Sequence, residues 1–260
     1  LMFGVPLFTK FFLAVTIFTF YVIYHIEHPF FEQYKANPKP WPWNEDRKKW
    51  KNLLRKTVLQ SLWNNLFIIP ALILPTYFQI TAGNIDDLWR TDMESLPGSL
   101  EFLWQVIFCM LIEDTGFYCS HRFMHTKLCY KRFHKLHHEY YTTISIAVEH
   151  VHVVEAILGN TIPPALGPLI LGNRMHLVSV IAWIVIRVAE GYDGHCGYDF
   201  PWSPFRIMPL SGGEEYHDFH HSHNVGNFST FFTHWDTIFG TNVQFYRFLD
   251  KKHAKENKSD

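Results

Sequence analysis

Apolar residues in this chain are gathered into long blocks that alternate with strongly polar sequence. Phe11 to Ile26 reads FFLAVTIFTFYVIYHI and carries no charge. Thr57 to Ile80 reads TVLQSLWNNLFIIPALILPTYFQI, interrupted by the amides Asn64 and Asn65. Leu100 to Ile112 is apolar except for Glu101 and Gln105. Val153 to Leu171 carries one acid, Glu155, and Leu177 to Val188 carries one charge, Arg187. A helix needs about 20 predominantly apolar residues to cross a bilayer. The second block meets that alone, and the others are shorter or have polar ends. A soluble protein with buried core helices is the competing reading. The alternation of several such blocks with polar stretches favours a membrane protein, and a mean hydropathy of -0.05 averages over the segregation.

The blocks set the organisation. Residues 1–26 read as a first membrane helix and 27–56 as a polar connector, where Pro38, Pro40 and Pro42 exclude a continuous helix. Lys48, Lys49, Lys51, Arg55 and Lys56 stand just before the second block, which places that end in the cytosol by the positive-inside tendency. A solvated helix face is the alternative. Residues 81–99 form another polar connector, and a helix from Leu100 should run on to about His121. Residues 121–150 are polar enough to require water or the headgroup boundary. The two apolar runs within 153–190 are split by Gly172-Asn173-Arg174, which predicts a helical hairpin with its tip near Asn173. Pro163-Pro164 should kink or break its first arm. Residues 191–242 are again polar, and the tail is charged.

Histidine changes the picture most. Eight of 17 histidines lie in three boxes, His121-x-x-x-His125, His134-x-x-His137-His138 and His217-x-x-His220-His221. On a helix, positions i, i+3 and i+4 share a face. At the chain-wide frequency residues 121–138 should hold about one histidine, and they hold five. Neutral imidazole is the commonest metal ligand among side chains. Eight exceed what one ion takes, so the boxes predict a two-metal centre. The four cysteines form no C-x-x-C pair, which argues against a structural zinc site and for reduced thiols. The net charge of -1 excludes bulk attraction to nucleic acid. The expected fold is therefore all-α, an integral membrane helical bundle with a histidine-rich di-metal domain on its cytosolic side.

The boxes resemble the membrane fatty acid hydroxylase and sterol desaturase superfamily. Flanking words narrow the resemblance to the C-4 methylsterol monooxygenases: Ile112-Glu113-Asp114-Thr115, His134-Lys135-Leu136-His137-His138-Glu139, Glu149-x-x-His152-x-x-Glu155, Asp193-Gly194-His195-x-Gly197-Tyr198-Asp199, His217-Asp218-Phe219-His220-His221 and Trp235-Asp236-Thr237-Ile238-Phe239-Gly240-Thr241. The similarity covers about 100–245, implying a catalytic domain there, with membrane helices and connectors in 1–99 and a charged tail in 246–260. It implies a monooxygenase of the endoplasmic reticulum membrane that holds two iron ions and uses O2. Electrons would come from NAD(P)H through cytochrome b5 and its reductase, and a C-4 methyl group of a sterol would be oxidised. The chain has no G-x-G-x-x-G of its own, so an external donor is required. A related hydroxylase or desaturase of fatty acyl, sphingoid or other sterol substrates stays open, as does a non-catalytic metal-binding membrane protein.

The residue types suit that chemistry. Redox work needs an ion that cycles, and imidazole binds iron as well as zinc. Besides the eight box residues, His195 between two glycines and His152 ahead of the hairpin are candidate ligands. Glu113, Asp114, Glu149 and Asp218 are the acids expected to accept the outer imidazole N–H groups and fix each tautomer. Arg122 is a further expected partner of Glu113 and Asp114. His150 and His223 read as bystanders, and His234 as structural.

Overall fold

The computed structural model describes residues 4–81 and 88–257 and is helical, with two isolated bridges and no strand ladder among the described residues. Helix α1 (Gly4–Ile26) leads into a connector that folds as one-turn helices at Pro29–Glu32 and Pro42–Glu45. Each of these begins on a proline, whose fixed φ and missing N–H suit the first helical turn.

The expected connector ends earlier than its polarity suggested. Helix α2 (Arg47–Trp63) starts at Arg47, where the Asp46 carboxylate accepts from the N–H groups of Lys48 and Lys49 at 3.0 Å. The basic run is therefore the first turns of this helix. It continues through a π turn at Asn64–Ile68 into α3 (Ile69–Thr81), and Pro70, which has no N–H to extend the α ladder, is the second residue after that turn. The amides that interrupt the apolar block are polar anchors. Asn64 donates to Val151 O at 3.0 Å, and Asn65 donates to Glu149 at 2.9 Å.

Helix α4 (Ser99–Met124) reaches the first histidine box. The next apolar region breaks into α5 (Val153–Leu158) and α6 (Ile162–Leu171), with Pro163 in the first turn of α6. A turn at Gly172–Arg174 precedes α7 (Leu177–Asp193). Beyond it lie α8 (Gly213–His223), α9 (His234–Ile238) and α10 (Val243–Glu256).

Among the described residues three stretches are long and apolar enough to cross a membrane: Arg47–Pro75, Ser99–Met124 and Val153–Arg174. Only 11% of the most apolar window in the first is buried inside the protein, so Leu59, Leu62, Trp63, Leu66, Phe67 and Ile73 have hydrocarbon as their natural surroundings. Between α4, α6 and α7 lies an apolar core of Val106, Cys109, Met110, Leu171, Met175, Leu177, Val180 and Trp183. Trp183 donates to Pro164 O at 2.8 Å, satisfying a polar group at membrane depth. A second, aromatic core (Tyr24, Trp41, Tyr140, Tyr198, Phe200) ties the end of α1 and its connector to the polar domain.

Helices α4 and α6 approach closely because small residues face each other. A Cβ on Gly167 would lie 2.8 Å from both Cα and Sγ of Cys109, and one on Gly116 would lie 3.2 Å from Pro163 Cβ. Gly167→Val should force these helices apart and cost about 1–3 kcal/mol. The check is a thermal melt in detergent, with Gly98→Ala, where a Cβ meets nothing within 4 Å, as the neutral comparison.

Candidate metal centre

Four chain segments deliver the histidines. His121 is buried at the end of α4, and His125 caps that helix. The second box is not α-helical: Tyr130–His134 is a π turn and His137–Glu139 a 3-10 turn. The third box lies on α8, and His195 follows the end of α7.

These residues form two groups. His121, His125, His134, His138 and His220 make the first, and His137, His195, His217 and His221 the second. Within each group the candidate ligand atoms all lie within 4.8 Å of one another. The groups adjoin, with the His138 and His221 rings 4.8 Å apart. Both H-x-x-H-H boxes are divided between them. The i and i+4 members stay together, His134 with His138 and His217 with His221, while the i+3 members His137 and His220 cross to the other group. On α8 this follows from helix geometry. At 3.6 residues per turn, i+4 lies about 40° to one side of i and i+3 about 60° to the other. A helix aimed between two centres therefore serves both.

Hydrogen bonds on the outer nitrogens set the tautomers. Nδ1 of His121 lies 2.9 Å from Phe228 O, that of His195 2.7 Å from Gly191 O, that of His220 2.6 Å from Gly226 O and that of His221 3.0 Å from Tyr140 O. His134 Nδ1 lies 2.8 Å from Glu155 Oε1, within ion-pair range but outside hydrogen-bond geometry. An acceptor at Nδ1 requires the ring hydrogen there and leaves Nε2 with a lone pair. His121 Nε2 and His134 Nε2 nevertheless stand 3.1 Å apart, with the His121 hydrogen committed to Phe228 O. His195 Nε2 faces His217 Nε2 at 2.9 Å. Nε2 of His125, His220 and His221 is buried without a hydrogen-bond partner. Lone pairs crowded inward suit a cation between them, so this donor set fits a metal ion in each group. Burial, reinforced by neighbouring imidazoles, pushes His137, His217 and His221 well below the usual imidazole range, and burial holds His195 at about 4.

Two of the acceptor carbonyls, those of Gly226 and Phe228, sit on a loop that acids hold in place. Asp236 accepts from the N–H groups of Phe228 and Ser229 at 2.9 Å each, and Asp114 Oδ1 accepts from those of Thr230, Phe231 and Phe232 at 3.0–3.3 Å. Gly226 has φ +59°, and a Cβ there would collide with Thr241 O.

Several expected partners differ. His152 lies in neither group. It caps α5 instead, its Nδ1 accepting from Val154 N at 3.1 Å. None of the four nominated acids accepts a hydrogen bond from a grouped imidazole. Glu113 pairs with Arg187 at 2.5 Å, Asp114 holds the loop, and Arg122 donates to Tyr118 OH at 3.0 Å rather than to either acid. Glu149 accepts from Ser61, Asn65 and Tyr192 at 2.6–2.9 Å, fastening α2 and α7 to the polar domain. Asp218 accepts from Asn37 and Thr143 at 3.0 Å each and fixes α8. The acid that reaches a ligand ring is Glu155. Its signals in the sequence are its place in the word Glu149-x-x-His152-x-x-Glu155 and its standing as the lone charge in an apolar run, where an acid is costly unless it has a partner.

A family model described as fatty acid hydroxylase matches residues 106–241. Methylsterol monooxygenase 1 of Gallus gallus is 35% identical over 230 residues, which is 88% of this chain and 72% of that protein. Methylsterol monooxygenase 1 of Rattus norvegicus is 36% identical over 199 residues, 76% of this chain and 66% of that protein. Methylsterol monooxygenase 2-2 of Arabidopsis thaliana is 41% identical over 165 residues, 62% of this chain and 60% of that protein. No solved structure matches. The chain belongs to the fatty acid hydroxylase family. It is a membrane oxidoreductase, similar to the methylsterol monooxygenases.

Two outcomes follow from the geometry. Gly226→Ala should displace the carbonyl that orients His220 and lower metal retention after gel filtration, read as moles of metal per mole of protein. The depressed imidazoles also give stability a pH dependence. Each unfolded histidine titrates near 6.5, whereas folded His195 does so only near about 4. The unfolded state therefore binds more protons between these values, and chelator-stripped protein should lose stability as pH falls through that window. Melts at a series of pH values check this, and a flat profile from 6.5 to about 4 would refute the assignment of neutral buried imidazoles.

Proposed function

We propose that the protein is a membrane di-iron monooxygenase that oxidises a C-4 methyl group of a sterol, using O2 and electrons from NAD(P)H delivered through cytochrome b5 and its reductase. The observation that carries this reading is the pair of adjoining all-histidine groups with inward lone pairs, in a chain whose similar proteins are named methylsterol monooxygenases. Nine histidines would hold two iron ions: His121, His125, His134, His138 and His220 one, and His137, His195, His217 and His221 the other. When bound, these ions supply the activation of O2 that no side chain provides. The chain's own groups hold the tautomers through Nδ1 and exclude water.

A cavity opens on His121, His137 and His195, and Phe117, Met124, Val148, Val151, Phe205 and Met208 contribute an apolar wall. Such a wall suits a lipid and leaves few polar contacts to select it. The site lies where α4 and α7 end, so a substrate dissolved in the bilayer reaches it along the helices. The basic first turns of α2 support a cytosolic orientation of this end, in the endoplasmic reticulum. A fatty acyl or sphingoid substrate is the second reading, supported by the description of the matching family model.

The test is product analysis in membranes carrying the protein, supplied with a 4,4-dimethylsterol, NADH, the b5 system and O2, against a His137→Ala control. Oxygen-dependent 4-hydroxymethyl or 4-carboxy sterol, absent in the control, is the expected result. Oxidised acyl or sphingoid lipid without sterol product would replace the sterol reading with the second. Metal bound with no lipid oxidised would leave a non-catalytic protein.

A further inference from the structure

The cavity beside the histidine groups is lined by three residues with a buried polar atom that lacks a hydrogen-bond partner and belongs to no grouped histidine, the neutral Tyr216 and Ser229 and the acid Glu155. Glu155 projects from α5, is 5% exposed, and contributes to the cavity wall. Its Oε1 is 2.8 Å from His134 Nδ1, so the carboxyl stands one imidazole ring away from the first group. Its Oε2 is buried and has no hydrogen-bond partner. Other charged groups of the same wall have partners: Arg187 donates to Glu113 and Glu190, and Asp193 accepts from Ser203 at 2.7 Å. A buried carboxylate oxygen without a donor is costly to keep. A donor that arrives with the substrate would remove that cost.

We propose that Glu155 is the specificity-determining residue that reads the substrate's hydroxyl group, its Oε2 accepting that hydrogen bond while Oε1 faces His134. This assignment rests on the sterol reading above. A sterol carries its ring hydroxyl on the carbon next to the one that bears the C-4 methyl groups. When a C-4 methyl group points at the histidine groups, the hydroxyl must arrive beside them too, at the depth where Glu155 stands. A saturated acyl chain brings no donor to that place and would leave Oε2 bare. A 3-oxo sterol, which only accepts, would set a carbonyl oxygen against the carboxylate. One side chain thus discriminates between lipids of similar shape, and the surrounding apolar wall supplies affinity without direction.

The experiment measures binding rather than turnover. The full chain is purified in detergent with its metal and kept free of O2. It is then titrated with radiolabelled 4,4-dimethylsterol and with the 3-oxo and 3-deoxy analogues. Wild type, Glu155→Gln and Glu155→Leu are compared, and the metal content of each is recorded. Wild type should bind the alcohol at least about tenfold more tightly than the ketone or the deoxy compound, the scale of a hydrogen bond to a charged group. In Glu155→Gln an amide nitrogen can donate into the cavity, so the preference for alcohol over ketone should shrink or reverse with metal content unchanged. In Glu155→Leu the distinction between alcohol and deoxy compound should vanish. Equal binding of alcohol and ketone by wild type, or an unchanged preference in the Gln variant, would overturn the assignment and leave the sterol reading standing. If wild type binds none of the three sterols, the sterol reading falls and takes the assignment with it.

Discussion

Nine imidazoles can share one buried volume only if their hydrogens point outward. A carbonyl at Nδ1 enforces this for His121, His195, His220 and His221, and much of the surrounding structure serves to place those acceptors. Asp114 and Asp236 pin the loop that presents the carbonyls of Gly226 and Phe228, and they do so through backbone N–H groups rather than through a ring. Losing either acid would misplace an oxygen two bonding steps from the ion. The same constraint requires glycine at position 226, where the positive φ and the proximity of Thr241 O leave no room for a Cβ.

The site joins two kinds of environment. Helices α4, α6 and α7 pack through small residues and an apolar core suited to hydrocarbon, while the histidines lie at or beyond their polar ends. Polar side chains fasten the two regions together. Glu149 gathers Ser61, Asn65 and Tyr192, and Asn64 reaches Val151 O, so the apparent defects in the apolar block of α2 and α3 are attachments between a span and the metal domain. Tyr24 does similar service at the end of α1, donating to Cys196 O at 2.7 Å and accepting from Ser145 N at 2.9 Å. These links set the distance between the bilayer and the metal groups, which decides how much of a lipid must leave the membrane to react.

Charge completes the arrangement. A shell of neutral imidazoles leaves the charge of bound cations uncompensated, and the acids with the closest sequence claim are occupied with other tasks. Among the described residues Glu155 alone makes an ion-pair-range contact with a grouped ring, and it does so from the cavity wall. The position therefore lies between the first histidine group and the cavity, which separates it from Glu113, locked to Arg187, and from Asp218, locked to Asn37 and Thr143.

The sequence by itself determined the helical membrane class, the three boxes and the turn near Asn173, because hydrophobic blocks and histidine spacing are local properties of the chain. It also showed the oddity of Glu155 without showing its partner. Only the tertiary structure decided how the boxes divide, since the sharing of each H-x-x-H-H motif between two groups depends on where α8 points and on π and 3-10 turns that spacing does not encode. It likewise decided that His152 caps a helix and that Glu113, Asp114, Glu149 and Asp218 hold backbone, helices and Arg187 rather than the grouped imidazoles. Hydrogen-bond partners are set by which groups long-range packing brings within 3 Å, and residues as far apart as Ser61 and Glu149 meet only once the helices have assembled.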